Sequence, residues 1–280
     1  MGVVQLNDDI QEKPVWGQEA LSMWLKKLPQ LKDEVSYDIE KNKKIKDQDK
    51  GWYNINECPY AFQGVPEQSI KYCNKNLEHV YSLDFHSAFP SALSRIRPDM
   101  APVIEDWYLK RKTNPRIKEY LNKGIGAFAS EEAGAKLLGA ENGLAHLRHE
   151  ILEEHAHMMC YMEELLWERG CIILNLRIDS IKFMCFDEEK LRDLPYQGEG
   201  LGQWSYEFKD CRYRQFSTGK YQYIDNNGNH KVVLNGFTRL DKIKPRSEWT
   251  WDELENCGNI KTWNFERKNW RIIYNEEKPN

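Results

Sequence analysis

Leu83-Asp84-Phe85-His86-Ser87-Ala88-Phe89-Pro90-Ser91 joins a strand-like run to a turn rich in Ser and Pro, with one carboxylate at the hinge. Period-two alternation through this run puts Val80, Ser82 and Asp84 on one face and Tyr81, Leu83 and Phe85 on the other. Two later segments give the carboxylate company. Lys118-Glu119-Tyr120-Leu121-Asn122-Lys123-Gly124-Ile125-Gly126-Ala127-Phe128-Ala129 reads as a basic helix. Leu176-Arg177-Ile178-Asp179-Ser180-Ile181-Lys182-Phe183 carries a second lone carboxylate in an apolar strand. Carboxylate, basic helix, carboxylate, in that order, suits metal-assisted chemistry on phosphates. Mg²⁺ takes hard oxygen ligands and keeps several waters, so two carboxylates from different strands suffice to bind it. Nucleotidyl transfer uses two such ions about 4 Å apart, with fixed cations to balance the phosphate charge. Asp84, Asp179 and Lys118 supply those groups.

The bulk composition bounds the rest. The 280 residues, 40% of them hydrophobic with 10 Trp and 14 Tyr, predict a globular chain with a sizeable core. No apolar run nears the ~20 residues of a membrane helix, and the N-terminus lacks a signal-peptide core. The seven Cys are scattered without a CxxC pair, which predicts structural thiols in a reduced cytosolic setting. The net charge of −4 does not advertise nucleic-acid binding, but its distribution does more. Between Arg95 and Lys123 stand eight Lys or Arg against four acids, a locally basic segment between the two strand carboxylates. A solvated helix face is the plainer reading of such a run.

Residues 1–57 read as an N-terminal appendage, with an amphipathic helix from Gln18 to Leu31 and a charged, loop-like stretch from Lys32 to Lys50. A strand at 78–85 is followed by two helices at about 100–112 and 115–128. Asn114 caps the second and Pro115 opens it. A long helix over about 131–169 ends at Gly170, and residues 171–186 are strand-rich, with a tight turn near Ile178 as one alternative. A hairpin turns at Asn226-Asn227-Gly228-Asn229. Four His on the long helix (146, 149, 155 and 157) read as structural or solvated, and the late Trp residues as packing more than base-stacking.

These segments resemble the motifs of family B DNA polymerases, nearest to the phage-type, protein-primed branch. Asp84 to Ser91 is similar to motif A (D-x-x-S-L-Y-P-S). Lys118, Asn122 and Gly126 are in register with motif B (K-x-x-x-N-S-x-Y-G), and Arg177 to Ser180 sits where motif C reads D-T-D-S. Gly219-Lys220-Tyr221 is similar to the K-x-Y element, and Tyr60 to Gly64 is a weaker echo of Y-x-G-G. The resemblance covers about residues 58–236 and implies an α+β fold: a palm-like antiparallel sheet packed on helices, minimal helical-hairpin fingers at about 95–129, and a small thumb-like segment at 237–280. It further implies a DNA-directed DNA polymerase working with two Mg²⁺ (or Mn²⁺) ions held by Asp84, Asp179 and the Phe85 backbone carbonyl. Lys118 and Asn122 would hold the incoming deoxynucleoside triphosphate, with Ser87, Ala88 and Phe89 around its phosphates and sugar. Lys220, Tyr221, Arg177, Lys182 and Lys112 would contact primer or DNA. The partners implied are a DNA primer-template and a priming or processivity protein, and the implied location is the cytoplasm, that of a host if the chain is phage-encoded.

Departures from the family pattern also carry weight. Arg177 replaces the first Asp of motif C, Ile125 the motif B Tyr and Lys123 its Ser. Asp38-Ile39-Glu40 matches the D-x-E of a proofreading site, but only 43 residues separate Glu40 from Asp84, too few for an exonuclease domain. Three function classes follow: an active minimal polymerase, a decayed palm that binds nucleic acid without catalysis, and a metal-dependent nuclease on the same carboxylates. Arg177 favours the second, and the retained Asp84, Asp179, Lys118 and Lys220 favour the first.

Overall fold

A computed structural model describes residues 16–53, 63–217, 219–234, 245–253, 260–264 and 269–273. The helices in chain order are α1 (Gly17–Lys27), α2 (Ile39–Tyr53), α3 (Ala88–Ile96), α4 (Ala101–Lys110), α5 (Pro115–Ala127), α6 (Glu131–Leu138) and α7 (Ala145–Glu168). The strands are β1 (Gln63–Pro66), β2 (Leu77–Phe85), β3 (Ile172–Arg177), β4 (Ser180–Met184), β5 (Trp204–Ser217), β6 (Lys220–Ile224), β7 (His230–Leu234), β8 (Ile260–Asn264) and β9 (Asn269–Ile273). The class is α+β. Seven strands form an antiparallel sheet in the order β7-β6-β5-β2-β4-β3-β1. Beyond β1, β8 joins in parallel and β9 pairs antiparallel with β8.

Strand alternation assigns the two faces of this sheet. Tyr81, Leu83 and Phe85 of β2 bury into one core with Ile173, Leu176, Ile181, Phe183 and Trp204, covered by Ala156, Met159, Met162 and Leu166 of α7. Val80 lies in a different cluster, on the opposite side. The alternation expected for β2 therefore holds, and Asp84 stands on the face away from α7.

A second core is helical and centres on Trp24 of α1, which is fully buried. Its indole N–H donates to the Tyr120 carbonyl at 2.9 Å, and its ring meets Trp107 and Phe128 edge-on. Gly124 of α5 is required here, because a Cβ would overlap the indole. Truncation of Trp24 to Ala should cost about 3–5 kcal/mol. Asn114 caps α5 as expected, accepting from the amides of Arg116 and Ile117 at 3.1 and 3.4 Å.

The structure corrects several expectations. Residues 39–50 of the charged stretch lie in α2 rather than in a loop. Lys and Glu are good helix formers, Asp38 accepts from the Lys41 amide at 3.0 Å, and the buried Asn42 anchors the helix by donating to the Ser36 carbonyl at 2.7 Å. Residues 17–53 are also part of the body of the molecule rather than an appendage, since α1 packs on α5 and α6, and α2 on α7. The long helix is two helices. Gly139, at φ +68°, ends α6, with its amide on the Ala135 carbonyl at 3.2 Å, and a turn precedes α7. The strand over 171–186 breaks at Ile178-Asp179 into the β3–β4 hairpin. Within the segment expected as a thumb, the described strands β8 and β9 extend the edge of the sheet. Residues 54–62, with most of the Y-x-G-G echo, lie outside the described residues. Among the described residues no helix is long and apolar enough to cross a membrane.

Candidate active site

The site forms where the ends of four elements meet. Asp84 stands near the end of β2 opposite Ser180, the first residue of β4. One step further on, the Phe85 amide donates to the Asp179 carbonyl at 2.8 Å. Asp84 and Asp179 are thus diagonal neighbours across two hydrogen-bonded strands, although 95 positions separate them in the sequence. The turn that carries Asp179 is unusual. Ile178 precedes it at φ +49°, a left-handed conformation that a β-branched residue rarely adopts and that surrounding structure must enforce.

Both carboxyls are desolvated. Burial, then the charge of Asp179, then that of Glu207 push Asp84 up to about 7, against the opposing pull of Lys182 and Arg111. Burial also raises Asp179, opposed by a backbone hydrogen bond and by Lys182 and Arg177. Two half-buried carboxyls that stay raised although Lys182, Arg111 and Arg177 partly offset their charge suit a bound divalent cation. Hard carboxylate oxygens with room for waters fit Mg²⁺ or Mn²⁺. Among the described residues no group of three or more His, Cys, Asp or Glu side chains is gathered as a metal cluster, so the donor set rests on these two carboxylates and main-chain oxygens.

Three further groups complete the site. Lys182 is almost fully buried. Its ammonium donates to the Ser180 hydroxyl at 3.2 Å, lies 3.8 Å from Glu207 and sits 4.7 Å above the Tyr221 ring. Glu207 accepts from the Ser82 hydroxyl at 3.1 Å and was not identified from the sequence, where β5 gave no motif. Arg111, past the end of α4, was counted only within the basic run. Its guanidinium donates to the Ser87 hydroxyl at 2.5 Å and lies 4.0 Å over the Tyr108 ring, and the Tyr108 hydroxyl in turn donates to the Glu199 carbonyl at 2.6 Å.

Ser87 is left-handed (φ 50°, ψ 53°) and opens α3. The helix that follows was read from sequence only as a turn. Its first amides, those of Ala88 and Phe89, belong to the turn of a helix that has no intrahelical acceptor. The Arg111 guanidinium on the Ser87 hydroxyl adds positive charge to this end of α3. The His86-Ser87 turn is braced by the loop before β5. The His86 amide donates to Gln203 and the Gly202 amide to His86, both at 2.8 Å. Phe89 packs on the imidazole of His155, with ring centroids 4.6 Å apart. His155 is fully buried on α7, and burial pushes it down to about 4, so the ring is neutral near neutral pH.

The structure brings together Asp84, Asp179, Ser87, Ala88, Phe89, Arg177, Lys182 and Tyr221. Other expected residues stand apart. Lys118, Asn122 and Gly126 form an exposed stripe along α5, on the side opposite the residues that pack against α1. Among the described residues no hydrogen bond or ion pair joins Lys118 or Asn122 to either carboxylate. Lys112 is exposed and pairs with Glu199 at 3.7 Å. Lys220 and Tyr221 were expected to act as one element, but they are neighbours on β6, so their side chains leave opposite faces of the sheet. Tyr221 turns toward Lys182 and Lys220 toward Phe216, 4.9 Å from its ring. Lys220 is 1% exposed, which removes it from a primer surface.

The competing residues have structural partners. Asp38 caps α2, His146 faces Glu34 at 3.7 Å and His149 faces Glu153 at 3.4 Å. Trp251 donates to Asn76 at 3.0 Å under the Arg212 guanidinium. No protein-family model matches the chain, and no curated protein matches it significantly.

Proposed function

We propose that this chain is a template-directed nucleotidyltransferase, a DNA polymerase-like enzyme with a palm of the family B type. The observation that carries this reading is the register between β2 and β4, which makes diagonal neighbours of Asp84 and Asp179 at the open end of an antiparallel sheet. Arg111 and the first amides of α3 beside that pair support it, because a triphosphate needs fixed positive charge at that place.

Asp84, Asp179 and the Phe85 carbonyl would hold Mg²⁺ or Mn²⁺, which when bound supplies activation of a primer 3′-hydroxyl and neutralisation of the triphosphate. The chain's own groups do the rest. Arg111 and the amides of Ala88 and Phe89 bind and orient the terminal phosphates. Phe89 occupies the volume under the sugar and excludes a 2′-hydroxyl. Lys182, held by Ser180 and Glu207, keeps the two carboxylates from repelling each other fully before substrate arrives. The exposed α5 stripe of Lys118 and Asn122 meets the nucleotide if the α4–α5 hairpin swings toward the palm on binding, as lids that complete a site do.

A second reading has its own observation. Arg177 and Lys182 add two positive charges beside the carboxylates, which weakens metal binding and suits a palm that holds nucleic acid without catalysis. Primer extension on a labelled primer-template with Mg²⁺ or Mn²⁺ separates the readings. Lengthening supports the polymerase. Retention of the duplex without lengthening supports the binding protein, and shortening would replace both with a nuclease.

A further inference from the structure

We infer that Tyr108 is a positioning residue that holds Arg111 as the available phosphate-binding cation of the site. The inference rests on the reading of the site as a nucleotidyl-transfer centre and deepens it, because Tyr108 belongs to none of the motif segments. It starts from the basic run between Arg95 and Lys123. Most cations of that run are already neutralised: Arg95, Arg97, Lys110, Lys112, Arg116 and Lys123 each pair with a nearby acid. Among the described residues no carboxylate pairs with Arg111 or Lys118. Lys118 is exposed on the α5 stripe, whereas Arg111 is held against the palm at Ser87.

What holds Arg111 is neutral. One terminal nitrogen donates to the Ser87 hydroxyl, the other donates to the Tyr108 hydroxyl at 3.1 Å, and the guanidinium lies 4.0 Å over the Tyr108 ring. Tyr108 is itself fixed. It is 3% exposed, and its hydroxyl donates to the Glu199 carbonyl at 2.6 Å. The loop that carries Glu199 is docked on α3, where a Cβ on Gly202 would overlap the Ser91 hydroxyl. Ring, hydroxyl and loop therefore fix the direction of the guanidinium without a negative charge. The distinction matters for binding. A carboxylate partner would compete with an anionic ligand, whereas hydroxyls and a ring leave the charge available to it. The remaining guanidinium N–H groups have no acceptor among the described residues, and they stand at the left-handed Ser87 that opens α3. A long side chain already held in place loses less freedom when a phosphate arrives. Tyr108 thereby raises affinity for the terminal phosphates.

A double-variant cycle separates action through Arg111 from a contribution to folding. Tyr108→Phe, Arg111→Gln and the double variant are compared with wild type, and thermal melts confirm that each is folded. Affinity for inorganic tripolyphosphate in the presence of Mg²⁺ is measured by calorimetry, which needs no polymerase activity. Arg111→Gln should weaken it by about 30-fold, the loss of a charged hydrogen-bond donor. Tyr108→Phe keeps the ring and removes the hydroxyl. It should weaken binding by about fivefold and add nothing in the Arg111→Gln background, as expected of two residues that act as a unit. Equal losses from Tyr108→Phe in both backgrounds, or no loss in either, would overturn the inference. So would a wild-type chain that does not bind tripolyphosphate, or an affinity that Arg111→Gln leaves unchanged. Should Tyr108→Phe fail to fold, Arg111→Lys decides. It keeps the charge without the planar fork that Tyr108 holds, so a loss of about tenfold supports the inference and wild-type affinity refutes it. Primer extension is read separately. If the wild-type chain extends primers, Tyr108→Phe should raise the KM for dATP about fivefold at unchanged kcat, and a fall in kcat at unchanged KM would overturn the inference. If it extends none, the polymerase reading fails by itself, and Tyr108 is judged on tripolyphosphate affinity alone.

Discussion

The end of the β2–β4 pair and the β5–β6 hairpin were both expected to carry site residues, and they differ in what the sheet does with them. At the β2–β4 end, antiparallel register takes two residues far apart in sequence and makes them diagonal neighbours, then a strained turn presents one of them. On β6 the opposite happens. Lys220 and Tyr221 adjoin in sequence, and strand parity sends them to opposite faces. Proximity along the chain is a poor guide to a site on a sheet. Register across strands and parity along them decide which groups can act together.

The largest effect that sharpens this contrast is on catalysis. Asp84→Asn or Asp179→Asn should reduce single-nucleotide extension by about 10³-fold or more, since an amide loses the charge that binds a divalent cation. Lys220→Ala should leave the extension rate and primer affinity near wild type. It should lower stability by about 1–3 kcal/mol, through lost burial of its stem and lost contact with Phe216. Primer titration and thermal melts on the same preparations read both. Equal losses of activity in Asp179→Asn and Lys220→Ala would break the comparison.

The next effect is on pH dependence. Lys182 lowers the Asp84 carboxyl toward ionisation. Lys182→Met, close to isosteric and apolar, removes that pull, so Asp84 should stay protonated to higher pH and the acidic limb of the pH–rate profile should move to the alkaline side. The change should also destabilise the fold, because it removes one partner of a buried charge pair and leaves Glu207 and the two carboxyls without that cation, so the profile is read below the melting temperature of the variant. An acidic limb that stays in place would show that Asp84 is not the titrating group.

A smaller effect is expected on stability without metal. Asp84 titrates near 7 in the folded chain and near 4 when unfolded, so its ionisation favours unfolding. The stability linked to this group is fully present below about pH 4 and is lost as pH rises through about 7. Asp84→Asn carries no such penalty. In the absence of divalent cations the variant should be more stable than wild type at pH 8 by about 1–2 kcal/mol, allowing for partial solvent screening. That corresponds to a few degrees in Tm, and the difference should vanish near pH 4. Melts that give the same Tm difference at both pH values would remove the charged-pair account of the site.

The smallest effect concerns the α5 stripe. Lys118→Ala should raise the KM for nucleotide several-fold with little change in Tm, because an exposed lysine contributes little to folding and a phosphate contact contributes to binding. An unchanged KM would leave α5 as a solvated helix face.

Much of this arrangement was legible in the sequence. The alternation through Val80 to Phe85, the Asn114-Pro115 helix start, the late hairpin around Gly228 and the apolar spacing of α1 are local signals, and each appears in the fold. What escaped is non-local. The charged helix α2 shows little apolar periodicity because Asn42, a polar residue, is its buried anchor. The split between α6 and α7 turns on Gly139 at positive φ, where a helix-like pattern runs on either side. Arg111 and Glu207 become site residues only through the packing of α4 and β5 around Asp84. His155 looked like one of four helical histidines until the fold placed Phe89 against it.

The central claim is that the Asp84–Asp179 end of the sheet is a divalent-cation centre. Crystals of the wild-type chain soaked in Mn²⁺ with a deoxynucleoside triphosphate test it most directly, through the anomalous signal of the metal. The account predicts anomalous peaks between the Asp84 and Asp179 carboxylates, with the triphosphate against Arg111 and the first turn of α3, and their loss in Asp179→Asn. Mn²⁺ bound only elsewhere, or peaks that persist in Asp179→Asn, would contradict it.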